Sequence, residues 1–140
     1  MNVLIDTNVI LDVMLRREPH YEISAKIILL SEKGYISNYI SASAVTDIYY
    51  VVKKELKNKD IAVLLIKNLL KTVYVASVTE NNIHEALDLK WDDFEDSVQY
   101  TTGQSISAKY IITRNAKDFI NSKINVVSPE EFINQIILQE

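Results

Sequence analysis

Short β-branched runs alternate with longer amphipathic stretches along this chain, and no other feature limits its possible folds so strongly. The apolar runs occupy residues 3–5, 35–40, 72–75, 110–113 and 125–127, the last being the weakest. Apolar side chains recur at helical spacing in residues 23–30, 45–56, 61–69 and 133–137. This alternation predicts an α/β fold with a central parallel sheet of four to five strands flanked by helices. Functional sites of such folds form beyond the carboxyl ends of the strands.

The length and composition of the chain limit the classes of protein to which it can belong. The 140 residues suit one domain over residues 1–140, and the absence of cysteine excludes disulfides and thiolate zinc sites. No apolar run approaches a membrane span, and the first residues lack a signal-peptide pattern, so we expect a cytoplasmic protein with no membrane partner. The net charge is −4, so any binding of nucleic acid must depend on local cations or on a bound metal.

Two carboxylates lie just beyond predicted strands in the first third of the chain. Asp6 comes directly after the first strand, in the string Asp6-Thr7-Asn8. Asp47 lies one turn inside the helix after the second strand, off its apolar stripe. Each also has a structural explanation, because Asp6 is a good helix N-cap and Asp47 resembles an ordinary solvated helix acid.

The densest acidic cluster is Asp92-Asp93-Phe94-Glu95-Asp96. Four carboxylates in so short a stretch repel one another unless a cation or a helix N-terminus compensates them. Asp93 and Asp96 share one helical face, so both can reach one metal. A capping box at the start of a helix explains the same pair without a function.

The fourth predicted strand ends in Thr113, Asn115 and, slightly later, Asp118, which either belong to a site or cap a helix. Four segments therefore bring polar and acidic groups to one edge of one sheet, where repulsion favours a bound cation. Ligands that are all oxygen suit Mg²⁺ or Mn²⁺. Such a site can align a phosphodiester and activate water, which makes phosphodiester hydrolysis the predicted reaction.

Three strings then carry a family resemblance. VLIDTNVILDVMLRRE, SASAVTDIYYVV and DFEDSVQYTTGQSISAKYIITRNAKDF resemble the bacterial PIN-domain family, in particular the VapC-like branch with DFED and TRNxxDF motifs. The resemblance runs from Asn2 to about Glu131. It implies a doubly wound α/β fold, divalent-metal-dependent endoribonuclease activity on RNA and frequent homodimers. Many members are toxins that are paired with an antitoxin protein.

The resemblance also implies roles for individual residues. It makes Asp6, Asp47 and Asp96 the catalytic core and the ligands of Mg²⁺ or Mn²⁺, with Asp47 standing where many relatives have Glu. Asn115 stands where many relatives have Asp, so the acidic quartet is incomplete. The further candidate ligands are Asp93 and Asp118, and the candidate supporting residues are Thr7, Asn8, Thr113 and Asn115.

Two other functions stay open at this stage. With an incomplete quartet, the chain is also compatible with a catalytically weak or inactive PIN module that binds RNA or a protein partner. An Mg²⁺-dependent phosphatase with an Asp nucleophile is the third possibility. It is disfavoured because it calls for a second acid two residues after Asp6, where Asn8 stands.

Three further patterns have both a structural and a functional interpretation. The basic run Lys53, Lys54, Lys57 and Lys59 is either a solvated face or a contact for RNA phosphates. The aromatic residues Trp91, Phe94 and Tyr100 either pack in the core or stack on bases. Asp12 and Arg16 have the i,i+4 spacing of a structural ion pair on the first helix.

Overall fold

The computed structural model describes residues 1–137, and a parallel β-sheet forms its centre. The five strands are β1 (Asn2–Ile5), β2 (Ser37–Ser41), β3 (Tyr74–Ala76), β4 (Tyr110–Ile112) and β5 (Asn125–Val127). They lie in the order β3-β2-β1-β4-β5, and every pair is parallel. The predicted α/β architecture is therefore confirmed.

Helices connect the strands and cover both faces of the sheet. The α-helices are α1 (Thr7–Met14), α2 (Tyr21–Glu32), α3 (Ala42–Leu56), α4 (Lys59–Leu69), α5 (Glu80–Leu89), α6 (Phe94–Ser105) and α7 (Pro129–Glu131). A 3₁₀ turn covers Ala116–Asp118, and a π-helical segment covers Phe132–Ile137. Within residues 1–137, no helix is long and apolar enough to cross a membrane.

The central strand β1 is buried on both faces because its side chains alternate between two packed layers. Val3 and Ile5 join the larger cluster, which includes residues of α1, α2, α3 and α4. Leu4 points to the opposite layer, where it packs with Tyr100 and Ile111. A strand with no exposed apolar residue between Val3 and Ile5 fits the centre of a parallel sheet.

Two predicted strand boundaries are wrong by two residues. Residues 35 and 36 precede β2, because α2 ends in a turn in which Gly34 has a φ of +79°. Residues 72 and 73 belong to the turn that closes α4, where the backbone N–H groups of Thr72 and Val73 donate to the carbonyl of Leu69. Aromatic and β-branched residues favour strands in both places, but the preceding helix ends decide where the chain becomes extended.

The strand order reverses between β1 and β4, the place where open α/β sheets commonly form a crevice. Strands β2 and β3 lie on one side of β1, and the later strands β4 and β5 lie on its other side. Crevices at such a reversal, outside the carboxyl ends of the strands, are the common ligand sites of open α/β sheets. Asp6 and Thr113 are the first residues beyond β1 and β4 and therefore stand at this crevice.

Candidate active site

Asp6 is the buried centre of the crevice, and its backbone also joins β1 to β4. Its N–H donates to the carbonyl of Ile112 at 2.9 Å. Its side chain caps α1, because Oδ1 accepts from the N–H of Thr7 at 2.7 Å. The capping interpretation of Asp6 is therefore correct, and the same carboxylate lies at the sheet edge where a site is expected.

Four donors hold the carboxylate of Asp6. Besides Thr7, the side-chain amide of Gln99 donates to Oδ1 at 2.6 Å. The hydroxyl of Thr113 and the amide of Asn8 donate to Oδ2 at 2.7 and 3.2 Å. Three of the predicted supporting residues thus contact Asp6 directly. A carboxylate with donors on both oxygens keeps one orientation, which is what a metal ligand needs from its surroundings.

Asp96 lies next to Asp6 at the start of α6, where the helix cap is Asp93. The carboxylate of Asp93 accepts from the N–H of Asp96 at 3.2 Å. Asp96 itself is buried. Burial first, then the charges of Asp6, Asp93, Asp118 and Glu95, raises the pKa of Asp96 from 3.8 to about 7. The binding of a proton or of a cation relieves this repulsion between Asp96 and its anionic neighbours.

Asp47 reaches the site from α3, whose N-terminus is capped by Ser41. It lies beside a cavity of about 280 Å³ that Glu95 also lines. The charge of Asp47, followed by burial and the charges of Asp93 and Asp6, raises the pKa of Glu95. The first strand, the helix after the second strand and the acidic cluster therefore bring their carboxylates to one region.

Glu95 and Gln99 are two site residues that sequence reasoning missed. The helical face that groups Asp93 with Asp96 leaves Glu95 out, although Glu95 stands next to Asp96 in the same DFED string. Gln99 is buried inside α6, and no sequence pattern connects it with Asp6, 93 residues earlier. Its other amide atom, Oε1, is buried without a hydrogen-bond partner. In the sequence, the only indication for Gln99 is its position three residues after Asp96, which places both on one face of a helix.

The segment after β4 is linked to Asp6 through Thr113. The N–H of Asn115 donates to the hydroxyl of Thr113 at 3.0 Å, and the Asn115 side chain is exposed. Asp118 is also exposed and lines a second, open cavity together with Asp93. Its charge contributes to the raised pKa of Asp96. Asp118 therefore influences the site electrostatically from the side of Asp93.

A buried ion pair ties this fourth segment to α1. Asp12 is fully buried, and its carboxylate accepts from Nε of Arg114 at 2.6 Å and from a second guanidinium nitrogen at 3.3 Å. The backbone N–H of Arg114 also donates to the side chain of Asn8 at 3.4 Å. The predicted pair of Asp12 with Arg16 is wrong, because Arg16 lies beyond the end of α1 with a φ of +50°.

The donor chemistry of this region fits a hard divalent cation. Asp6, Asp47 and Asp96 offer only oxygen ligands, as Mg²⁺ and Mn²⁺ prefer. Across residues 1–137, no three acidic or histidine side chains converge tightly enough to enclose an ion by themselves. Mg²⁺ does not require such a cage, because it keeps several waters and uses one or two carboxylates together with substrate phosphates. The residues therefore fit an open metal site better than a closed structural one.

Comparisons with solved structures give the same fold. A VapBC complex of Rickettsia felis bound to a promoter DNA fragment has a TM-score of 0.70 at 15% identity, covering 91% of this chain and 98% of that chain. A toxin–antitoxin complex from Klebsiella pneumoniae has a TM-score of 0.68 at 21% identity, covering 91% and 97%. A sarcin-ricin-loop-cleaving VapC toxin of Mycobacterium tuberculosis has a TM-score of 0.63 at 13% identity, covering 78% and 86%.

Comparison by sequence defines the family. No curated protein matches the sequence significantly. The sequence profile of the PIN domain matches residues 2–117, which is most of the chain and includes Asp6, Asp47, Asp96 and Asn115. This chain belongs to the PIN-domain family.

Proposed function

We propose that this protein is a divalent-metal-dependent endoribonuclease that hydrolyses RNA phosphodiesters. The proposal is supported by acids from three separate segments near the carboxyl edge of the sheet, because the charge of Asp6 acts on Asp96 and the charges of Asp47 and Asp6 act on Glu95. The membership of the PIN-domain family supports it. The M. tuberculosis structure with the same fold is described as a toxin that cleaves the sarcin-ricin loop.

In this proposal each side chain has a defined task. Asp6, Asp47 and Asp96 hold the cation, with Asp93 and Asp118 as the outer acids of the same region. Gln99 and Thr113 keep the Asp6 carboxylate in one orientation through bonds of 2.6 and 2.7 Å. When bound, Mg²⁺ or Mn²⁺ supplies Lewis-acid chemistry that neutralises phosphate charge and lowers the pKa of water.

The basic run begins at the end of α3 and is placed for contacts outside the reaction centre. Lys53 and Lys54 follow Asp47 by six and seven residues, about 9 and about 10 Å along the helix axis, whereas Lys57 lies just beyond α3 and Lys59 begins α4. All four lysines of the run are exposed. These cations therefore suit phosphates that flank the cleaved bond, which gives an acidic protein a local grip on RNA.

We further propose a protein partner of the antitoxin kind. The R. felis and K. pneumoniae structures are described as a VapBC assembly and a toxin–antitoxin complex. A partner of this kind would keep the ribonuclease inactive inside the cell that makes it. Cleavage should therefore be measured with protein that was expressed and purified without a partner.

The test is cleavage of a mixed-sequence RNA by the purified chain with Mn²⁺ or Mg²⁺, and its arrest by EDTA. Asp6→Asn, Asp47→Asn and Asp96→Asn should each lower the rate by at least 100-fold, because each removes a charged ligand of the cation. Asp88→Asn, an exposed acid on α5, is the matched control and should cleave like the wild type. Asp12 is unsuitable as a control because its carboxylate is buried in an ion pair.

The contrary outcome has a specific meaning. A folded wild-type chain that binds RNA but does not cleave it with either metal contradicts the ribonuclease proposal. It would favour the catalytically inactive binding module, for which the uncharged Asn115 at the fourth position is the supporting observation.

A further inference from the structure

Polar and apolar side chains together line the cavity beside the carboxylates. Its volume is about 280 Å³. A cavity of about 150 Å³ already accommodates a single six-membered aromatic ring, so this one has room for a two-ring heterocycle. The polar lining includes Asp47, Glu95 and Gln99, and the apolar lining includes Val78 and Ile83. The volume and this mixed lining suit a ligand that has both apolar faces and polar groups.

Phe94 is the aromatic residue at this cavity that is not used by the core. It lines the cavity, and 43% of it is exposed. Trp91 and Tyr100 are instead packed together, with ring centroids 5.0 Å apart, and Trp91 also meets the edge of Phe119. Core packing therefore explains two of the three aromatic residues near the acidic cluster. Phe94 alone offers a ring face to a stacking partner.

The polar groups that line the cavity are mainly hydrogen-bond acceptors. The carboxylates of Asp47 and Glu95 have no hydrogen-bond donor among the described residues 1–137. The amide oxygen of Gln99 also lacks a partner, but it lies below the surface of the cavity and is not itself exposed to a ligand. Three hydroxyls of the lining are already engaged, since those of Ser41 and Ser43 bond to each other and that of Thr46 donates to the carbonyl of Ser43. A ligand for this cavity should therefore bring N–H donors.

We propose that this cavity binds a nucleobase of the RNA strand, next to the phosphate at the metal centre, and that it prefers guanine. The anionic phosphate binds at the cation, and the neutral base is the part of the strand that enters the cavity. Guanine has two adjacent N–H donors that can pair with both oxygens of Glu95, whereas uracil has one. The base face lies against Phe94, as unpaired bases stack on aromatic side chains in RNA-binding proteins.

The proposal rests on the proposed function, but its test does not require catalysis. Guanosine, adenosine, cytidine and uridine are titrated separately into isotope-labelled protein in EDTA, and NMR follows the Phe94 ring and the Gln99 side-chain amide. Guanosine should shift both sets of signals and bind at least fivefold more tightly than uridine. Equal shifts with uridine, or no shifts at the cavity with any nucleoside, would overturn the proposal.

Variants separate stacking from recognition of the base edge. Phe94→Ala should weaken guanosine binding about fivefold or more, and Phe94→Tyr should restore it. Glu95→Gln should lower the preference for guanosine over uridine while retaining stacking. Leu87→Ala, an exposed apolar residue on α5, is the control. Guanosine binding without RNA cleavage would refute only the ribonuclease, whereas cleavage without nucleoside binding would refute only the base site.

Discussion

Removing Arg114 should destabilise the fold far more than removing an exposed ion pair. Asp12 is fully buried, while 30% of the Arg114 side chain is exposed. Arg114→Ala leaves a buried carboxylate without its partner, a change that typically costs about 3–5 kcal/mol in the free energy of unfolding. Because Arg114 is partly exposed, we expect the lower end, about 3 kcal/mol. For a chain of this length that corresponds to a fall in Tm of roughly 10 °C.

A double-mutant cycle shows whether the stranded charge causes the loss. Urea unfolding can be followed by the fluorescence of Trp91, which packs against Tyr100 and Phe119. Adding Asp12→Asn to Arg114→Ala should recover part of the stability, since a neutral amide replaces the buried anion. Arg17→Ala breaks the exposed 3.0 Å pair with Glu55 and should cost below about 1 kcal/mol.

Two results would refute this reasoning. If the free energy of unfolding of Arg114→Ala lies within about 0.5 kcal/mol of the wild-type value, the ion pair does not hold the segment after β4 in place. If the double variant is no more stable than Arg114→Ala alone, an uncompensated charge at Asp12 is not the source of the loss.

The remaining predictions concern the acids and their cation. Millimolar Mn²⁺ should raise the Tm by binding the native state, and Asp96→Asn should reduce that rise while Asp88→Asn should not; an equal rise in all three would contradict the site. In EDTA, the wild type should lose stability from pH 5.5 to 7.5 relative to Asp96→Asn. The folded state retains a proton on Asp96 up to its pKa of about 7, whereas the unfolded chain releases it near 3.8. Identical pH dependence in calorimetry would contradict this prediction. Asn115→Asp should tighten Mn²⁺ binding in calorimetric titration, whereas Asp118→Ala should weaken it only slightly; the reverse order would make Asp118 the fourth acid.

The fold and the acidic centre were predictable because they depend on local patterns. Alternating strands and helices place Asp6 and Thr113 at one sheet edge, and parallel topology brings Asp47 and Asp96 to the same side. These features follow from periodicity and from the position of each acid after a strand or at a helix start. The structure confirms the architecture, while the roles of these residues stay predictions.

The interactions that sequence reasoning missed all join distant segments. Gln99 contacts Asp6 across 93 positions, and Arg114 contacts Asp12 across 102. Local spacing favoured Arg16 as the partner of Asp12, but a buried carboxylate takes the cation that tertiary packing brings into reach. A one-dimensional pattern can identify a charge that needs a partner, but it does not show which distant residue supplies it.

The most direct measurement is anomalous X-ray diffraction from crystals of the partner-free protein soaked in Mn²⁺. We expect a manganese peak at the carboxyl edge of the sheet, with carboxylate oxygens of Asp96 and of Asp6 or Asp47 as direct ligands. Water should complete the coordination, since divalent ions of this kind use few protein ligands in open sites. A saturated crystal with no peak in this crevice, or with manganese bound only elsewhere, would contradict the claim that these acids form one metal centre.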